Sequence, residues 1–348
     1  MIEEESMKRL VVSVAVACLT TLGLAACSGS GEAEESNQAG EISFNFATVG
    51  PTVTMLPFYV ADEKGFFESE GIEPKYVTVA SGAAMLSGFS AGQLDVIPTS
   101  LTAAGKLREG GVDAKTVAGF RAGLDFTIYS RKEAGLPIDG TFEEKMKALE
   151  GVNLGVQGGA EGSMLPFVKA MMREAGADPA TLRIANVNFG GPQVAALRSG
   201  EVDAVITDKS TIVTADDLGI GDSYFSLLTD PPAKYQKLMS SGSIANGAFL
   251  SRNPEFAQKY VTAIDKTIAW MRDPSNLDEM HRISTQVQGV PESPVLNDVI
   301  LPMHNYLSAY VDQSLLEDSL SFLYDSQQLD VNAGRLSVND LFAESMIK

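Results

Sequence analysis

The chain has 348 residues and a formal net charge of −19, with only two cysteines and two histidines. So acidic a chain is unsuited to nucleic acid or to anionic lipid surfaces, which carry the same sign of charge. So few thiols and imidazoles leave no material for a disulfide framework or a Cys/His metal cluster.

At the N-terminus, Lys8 and Arg9 precede a 17-residue, mainly apolar run from Leu10 to Ala26, and Cys27 follows. A short basic region, a hydrophobic stretch and small residues before a break form the pattern of a secretory signal. The run sits at the lower edge of what a membrane-spanning helix needs. Glu3, Glu4 and Glu5 are foreign to a basic leader, so Met7 competes with Met1 as the start of translation. Leu24-Ala25-Ala26-Cys27 resembles the bacterial lipobox, in which the cysteine is lipidated and becomes the new N-terminus. Residues 1–26 therefore read as a lipoprotein signal peptide and Cys27 as its lipidation site. Cys18 lies inside the removed segment, so the mature chain has no spare thiol. Two or more acyl chains give firm anchoring, so the mature protein is expected outside the cytoplasmic membrane, held to it by lipid. Envelope type stays open.

Residues 27–41 read as a tether: Ser28 to Gly40 is small, polar and acidic and cannot bury enough surface to fold. Thirteen extended residues reach at most roughly 45 Å. Residues 1–26 carry three acidic and two basic side chains, which leaves the mature chain at −18.

The remainder, 42–348, is too long for one core and suggests two α/β lobes. Ile42 to Thr48 alternates apolar and polar, a strand; Met55 to Lys64 is a helix closed by Gly65; Pro74 to Val79 is a strand. Strands follow at Thr116 to Phe120 and Phe126 to Ser130. The second lobe has strands at Val152 to Val156, Leu182 to Val187 and Ala204 to Thr207, with helices at Ser163 to Ala175 and Val194 to Ser199. Strands alternating with helices give mostly parallel sheets, and ligands sit beyond the carboxyl ends of such strands. From Pro254 to Met271 the spacing of Phe256, Tyr260, Ile264, Ile268 and Met271 is helical, and further helices run to Lys348. These read as a helical cap on the first lobe, with the chain crossing back near Ser243 to Ser251. Trp270, the sole tryptophan, reads as packing of that cap.

An internal repeat supports the two lobes. Ala91-Gly92-Gln93-Leu94-Asp95-Val96-Ile97-Pro98-Thr99-Ser100 matches Ser199-Gly200-Glu201-Val202-Asp203-Ala204-Val205-Ile206-Thr207-Asp208. Each copy reads as a glycine-ended helix followed by a buried strand.

The segment Leu56 to Ile72, LPFYVADEKGFFESEGI, resembles the SsuA/NMT1-like solute-binding proteins, as do Ala91 to Asp95, Leu149 to Val156 and Leu197 to Ala204. The resemblance covers roughly residues 42 to 260. It implies a two-lobed periplasmic-binding-protein-like (type II) α/β fold, with lobe 1 formed by 42–125 and 245–348 and lobe 2 by 126–244. It also implies a small-molecule ligand, namely a sulfonate or a nitrogen heterocycle such as a pyrimidine vitamin precursor. The implied partners are ABC permease and ATPase subunits. No cofactor and a monomeric state are expected.

Carried onto this chain, the family's cleft falls at Thr52 and Thr54, Ser81 and Gly82, Thr99 and Ser100, and Arg121. In the second lobe it falls at Gly158, Gly159, Glu161, Gly162 and Ser163, then Asn188, Gln193 and Asp208. The glycines would let backbone approach a ligand, or simply make a tight turn with Ser163 as helix cap. Arg121 suits a forked grip on an anion or an inter-lobe ion pair. Asp208 suits an amine ligand or a helix cap. The main rival is catalysis, because the same resemblance takes in a pyrimidine synthase that uses a cysteine cluster and histidine; this chain has no such cluster, and His281 and His304 lie in the C-terminal third. A lipoprotein that senses its solute instead of importing it is a second alternative.

Overall fold

The computed structural model describes residues 41–348, apart from residues 123–125, 163, 228–229, 231, 237, 295 and 306. The leader, Cys27 and the tether to residue 40 lie outside the described residues, as does Ser163. Among the described residues ten strands form two five-stranded sheets. The first has the order β2 (Ile72–Thr78), β1 (Ile42–Thr48), β3 (Val96–Ser100), β10 (Met239–Asn246) and β4 (Ala114–Ala122). The second has the order β7 (Arg183–Asn186), β6 (Asn153–Val156), β8 (Ala204–Thr207), β5 (Thr127–Arg131) and β9 (Gly221–Ser226). In each, three parallel strands are followed by an antiparallel fourth, β10 against β3 and β5 against β8. The helices that bear on the argument are α1 (Leu56–Glu63), α2 (Gly82–Ser90), α3 (Leu101–Glu109), α4 (Leu165–Glu174), α5 (Gly191–Ser199), α6 (Lys209–Asp217), α7 (Phe256–Met271) and α8 (Gln313–Asp325). None of the described helices is long and apolar enough to cross a membrane.

The chain leaves the first sheet between β4 and β5 and returns between β9 and β10. All of β10 belongs to the first sheet, so the return precedes residue 239 and is not at the 243–251 expected from the sequence. β10 is a short, nearly continuous buried strand, MSSGSIAN, whose serines and glycine disguise it as a loop. The strand expected from Pro74 begins two residues earlier, at Ile72. Pro74 is tolerated because β2 is an edge strand, where a missing N–H donor costs little. The helix expected from Val194 begins at Gly191, with Pro192 in its first turn, where a proline lacks only an N–H that has no helical partner.

The repeat extends well beyond the ten residues legible in the sequence. Counterparts stand 108 residues apart across the strand framework: Phe46 is opposite Val96 in the first lobe, Leu154 opposite Ala204 in the second. The Asn45 N–H donates to Asp95 Oδ2 at 2.8 Å, and the Asn153 N–H to Asp203 Oδ2 at 3.0 Å. The side-chain amides of Asn45 and Asn153 donate to the carbonyls of Gln93 and Glu201. Gly92 and Gly200 both take left-handed φ, 71° and 76°, at the helix ends that precede β3 and β8.

The C-terminal region packs on the first lobe but not on it alone. From α7, Phe256 and Tyr260 enter an aromatic cluster with Phe44 and Phe67, and the Phe44–Phe256 centroids are 5.0 Å apart. Trp270 is half-buried against the same core, with Lys64 Nζ 5.1 Å from its ring. From α8, Ser319 Oγ accepts the Met239 N–H of β10, whereas Phe322 stacks on Phe167 of the second lobe at 4.6 Å. The expected cap on lobe 1 is therefore also a bridge to lobe 2.

Candidate functional site

The crossovers fix where a ligand can sit. In the first sheet, β1, β2, β3 and β4 end at one edge, and β10 starts there with Ser241 opposite both Ser100 and Arg121. In the second, β6, β7, β8 and β9 end at one edge, and β5 starts there with Thr127 opposite Thr207 and Ser226. Both chain crossings leave from and arrive at these edges, so the carboxyl ends of the two sheets share one inter-lobe space.

The polar groups at those edges serve first as helix caps. Ser81 Oγ accepts the Ala84 N–H at 3.2 Å above α2, beside the exposed Gly82. Ser100 Oγ accepts the Ala103 N–H at 3.1 Å above α3. Asp208 Oδ1 accepts both the Thr211 N–H and its hydroxyl at 3.0 Å above α6, and Thr211 Oγ1 in turn accepts the Gly190 N–H. Ser100 and Asp208 are thus the same device at equivalent positions. Thr99, next to Ser100, pairs through its backbone with Gly242. In the loop after β1, the Thr52 and Thr54 hydroxyls are 2.9 Å apart, and Gln288 Nε2 donates to the Thr52 carbonyl. Arg121 stands on β4, one residue from its end.

In the second lobe the glycines are explained in part by their own turn. Gly158 and Gly159 have φ of 83° and 60°, and the Gly158 N–H donates to Asn186 Oδ1 at 3.1 Å. A Cβ at Gly162 would lie 2.5 Å from the Gln157 carbonyl oxygen, so no larger residue fits. Glu161 ends the short 3-10 turn between them. Asn188 is exposed after β7, followed by Phe189, also exposed. Gln193 departs from expectation. It is fully buried, its Nε2 donates to the Ile206 carbonyl at 2.8 Å, and its Oε1 accepts the Thr207 hydroxyl at 2.6 Å. A side chain so committed braces the end of β8 from beneath and does not meet solute.

Between the lobes lies a cavity of about 720 Å³ that Ser100 lines from the first lobe and Gly162 from the second. Its apolar wall includes Leu86, Leu107, Val112 and Leu165, and its floor is Ser326, Gln327 and Gln328. Gln328 is nearly buried. Its Oε1 accepts the Thr102 hydroxyl and its Nε2 donates to Ser326 Oγ, which ties the C-terminal region to α3. The ionisable residues among those lining the cavity are Lys106 of α3 and Lys169 and Arg173 of α4. None of these three has a carboxylate within ion-pair range among the described residues. Sequence reasoning missed all three, since none lies at a strand end. Lys169 and Arg173 do stand at i and i+4, but a like-charge pair there costs a helix only about 0.2–0.5 kcal/mol and does not single out a face. Among the described residues no cluster of histidine, cysteine or carboxylate is arranged to hold a metal, and His281 instead bonds Asn297 and Glu292 on the C-terminal region.

The profile of the NMT1/THI5-like family matches residues 52–276, more than half of the chain, and the chain belongs to that family. A Bacillus subtilis protein named for the binding of aliphatic sulfonates is 22% identical over 363 aligned positions, covering 98% of this chain and 96% of that one. The periplasmic aliphatic sulphonate-binding protein SsuA of Escherichia coli superposes with a TM-score of 0.66 at 14% identity, over 88% of this chain and 98% of its own. The enzyme DszB, in complex with biphenyl-2-sulfinic acid, superposes with a TM-score of 0.59 at 15% identity, over 88% of this chain and 98% of its own. The fold is therefore that of the two-lobed periplasmic binding proteins, a frame that carries both solute binding and catalysis.

Proposed function

We propose that this NMT1/THI5-like chain is the solute-binding subunit of an ABC importer, anchored by lipid on Cys27 outside the cytoplasmic membrane. In this reading it closes its two lobes on a small organic anion of the sulfonate class and delivers it to the permease. The observation that carries the reading is the inter-lobe cavity, whose ionisable lining among the described residues is cationic in a protein of net charge −19. Such a local reversal of field concentrates anions where the overall charge would repel them. The sulfonate-binding names of the B. subtilis and E. coli proteins agree with it. The names of these relatives, which are those of binding proteins, also favour binding over catalysis. An amine or aminopyrimidine ligand is less well served, because Asp208 Oδ1 is engaged in capping α6.

A ligand that touches both lobes binds the closed form better than the open one, and that difference in affinity drives closure. Ser100 and Arg121 on one side, and the Gly158 to Gly162 turn with Asn188 on the other, are the groups assigned to the anion. The test is titration with an alkanesulfonate, nitrate and an aminopyrimidine, read by calorimetry and small-angle scattering. The sulfonate is expected to bind and to reduce the radius of gyration. Arg121→Ala is expected to lower its affinity roughly ten- to several-hundred-fold, the worth of a charge-assisted hydrogen bond. Binding of the aminopyrimidine alone, or a scattering curve unmoved at saturation, would sink the anion clamp. Mass spectrometry of membrane-bound protein should find acylated Cys27 as the first residue; an unmodified soluble form removes the anchor.

A further inference from the structure

Lys106 approaches the inter-lobe cavity from the first lobe, Lys169 and Arg173 from the second. Closing the lobes brings these like charges nearer, which opposes closure unless something negative lies between them. Lys106 and Arg173 stand in the last turns of α3 and α4, where a cation suits the helix dipole, but no carboxylate among the described residues pairs with any of the three. The floor between them is built in advance by Gln328, held from Thr102 and to Ser326. Beside it Gln327 has a φ of 61°, and it is the one non-glycine with positive φ among the described residues. It is the left-handed residue that ends α8, with the Gln328 N–H returning to the Leu323 carbonyl, so the turn holds both glutamines at the cavity. Size matters too. Pockets for drug-sized molecules run to about 300–1,000 Å³, and this cavity, about 720 Å³ with the lobes as they stand here, has room for a solute longer than a nitrate.

We propose that the basic end of this cavity, beyond the sheet edges where Ser100 and Gly162 line it, is a second anion subsite, and that the natural solute carries two acidic groups joined by an apolar spacer. The inference deepens the anion reading above and rests on it. One acid is held at the carboxyl edges of the sheets. The spacer lies along Leu86, Leu107 and Leu165, and the second acid sits among Lys106, Lys169 and Arg173. The second acid neutralises the charges that resist closure, so a dianion closes the lobes more effectively than a monoanion with the same spacer.

The test compares pentane-1-sulfonate with pentane-1,5-disulfonate by calorimetry on the full chain. Wild type is expected to bind the disulfonate at least about tenfold more tightly, the worth of one charge-assisted hydrogen bond. In Lys106→Gln, and in the double variant Lys169→Gln with Arg173→Gln, that ratio is expected to fall towards one. Because the readout is a ratio within one variant, a general loss of folded protein does not imitate it. Equal affinities in wild type, or a ratio that survives both variants, overturns the second subsite and leaves the sulfonate reading standing. If neither sulfonate binds, the sulfonate reading falls and the subsite falls with it.

Discussion

In the first lobe Phe44 and Phe46 stand on β1; 108 residues later, at β6 and the residue before it, the second lobe has Val152 and Leu154. The polar framework around these positions is conserved between the lobes, down to the paired Asn45–Asp95 and Asn153–Asp203 contacts. The filling is not. Phe44 meets Phe67, Phe256 and Tyr260, two of them supplied by α7. The described second-lobe core is instead packed by Met171, Met172 and Phe167 of α4. Backbone hydrogen bonds depend on chain path, which the two units share, whereas side-chain volume depends on the layer packed above, which they do not. A flexible thioether fills an irregular gap where the added helices bring one ring, Phe322, instead of a cluster.

That contrast can be broken first at its largest difference. Phe44→Ala removes a buried ring from a cluster fixed by four edge-to-face neighbours, and the expected loss in denaturant unfolding is about 3–5 kcal/mol. Val152→Ala removes two methyl groups at the matching place, for about 1–2 kcal/mol. Equal losses would mean that the aromatic cluster adds nothing beyond what the second lobe has.

The acids of the framework should differ more modestly. Asp95 holds the Asn45 N–H, whereas Asp203 holds the Asn153 N–H and also Arg131, 2.9 Å away. Asp95→Ala is expected to cost about 1 kcal/mol and Asp203→Ala about 2 kcal/mol, since a charged partner strengthens the bond. Burial works to raise the Asp203 pKa, but the Asn153 N–H and the Arg131 guanidinium outweigh it and hold it below the usual carboxylate range. The stability this gives is present above the unfolded value of about 3.9 and is lost as pH falls through the lowered folded one. The gap between wild type and Asp203→Ala should therefore narrow below about pH 4. A gap that stays constant down to pH 2 would remove the carboxylate's charge from the account.

The strand framework was legible because its signals are local. Gly92 and Gly200 end helices, apolar runs follow, and Ser100 and Asp208 cap the next helices, all within ten residues of one another. The path of β10 was hidden because small polar residues fill a strand that is buried on both sides. Gln193 was misread for a related reason: a polar residue in the first turn of a helix looks the same whether it faces solute or, as here, reaches inward to Ile206 and Thr207. Lys106, Lys169, Arg173 and Gln327 share a cavity only through the folding of three distant segments, and no spacing along the chain announces that. Phe322 sits on an amphipathic helix, and periodicity alone does not say which of two cores it joins.

The smallest expected effect concerns a helix end that departs from its counterparts. Gly92 and Gly200 occupy left-handed positions after their helices at little steric cost, while Gln327 occupies one after α8 with a side chain. A left-handed L-residue costs roughly 1–2 kcal/mol, and the extra freedom that glycine gives the unfolded chain returns about 0.4–1 kcal/mol of that. Gln327→Gly is therefore expected to stabilise the protein by up to about 1 kcal/mol, a rise in Tm of about 2 °C. If the glutamine is retained only as packing, stability rises and solute affinity does not change. If it serves the second acid of the solute, stability rises while the preference for pentane-1,5-disulfonate over pentane-1-sulfonate declines. Thermal unfolding and the two titrations on this one variant separate the cases. A role for Gln327 in the subsite requires the two quantities to move in opposite directions; a gain in stability with the preference intact excludes Gln327 and leaves the preference to Lys106, Lys169 and Arg173.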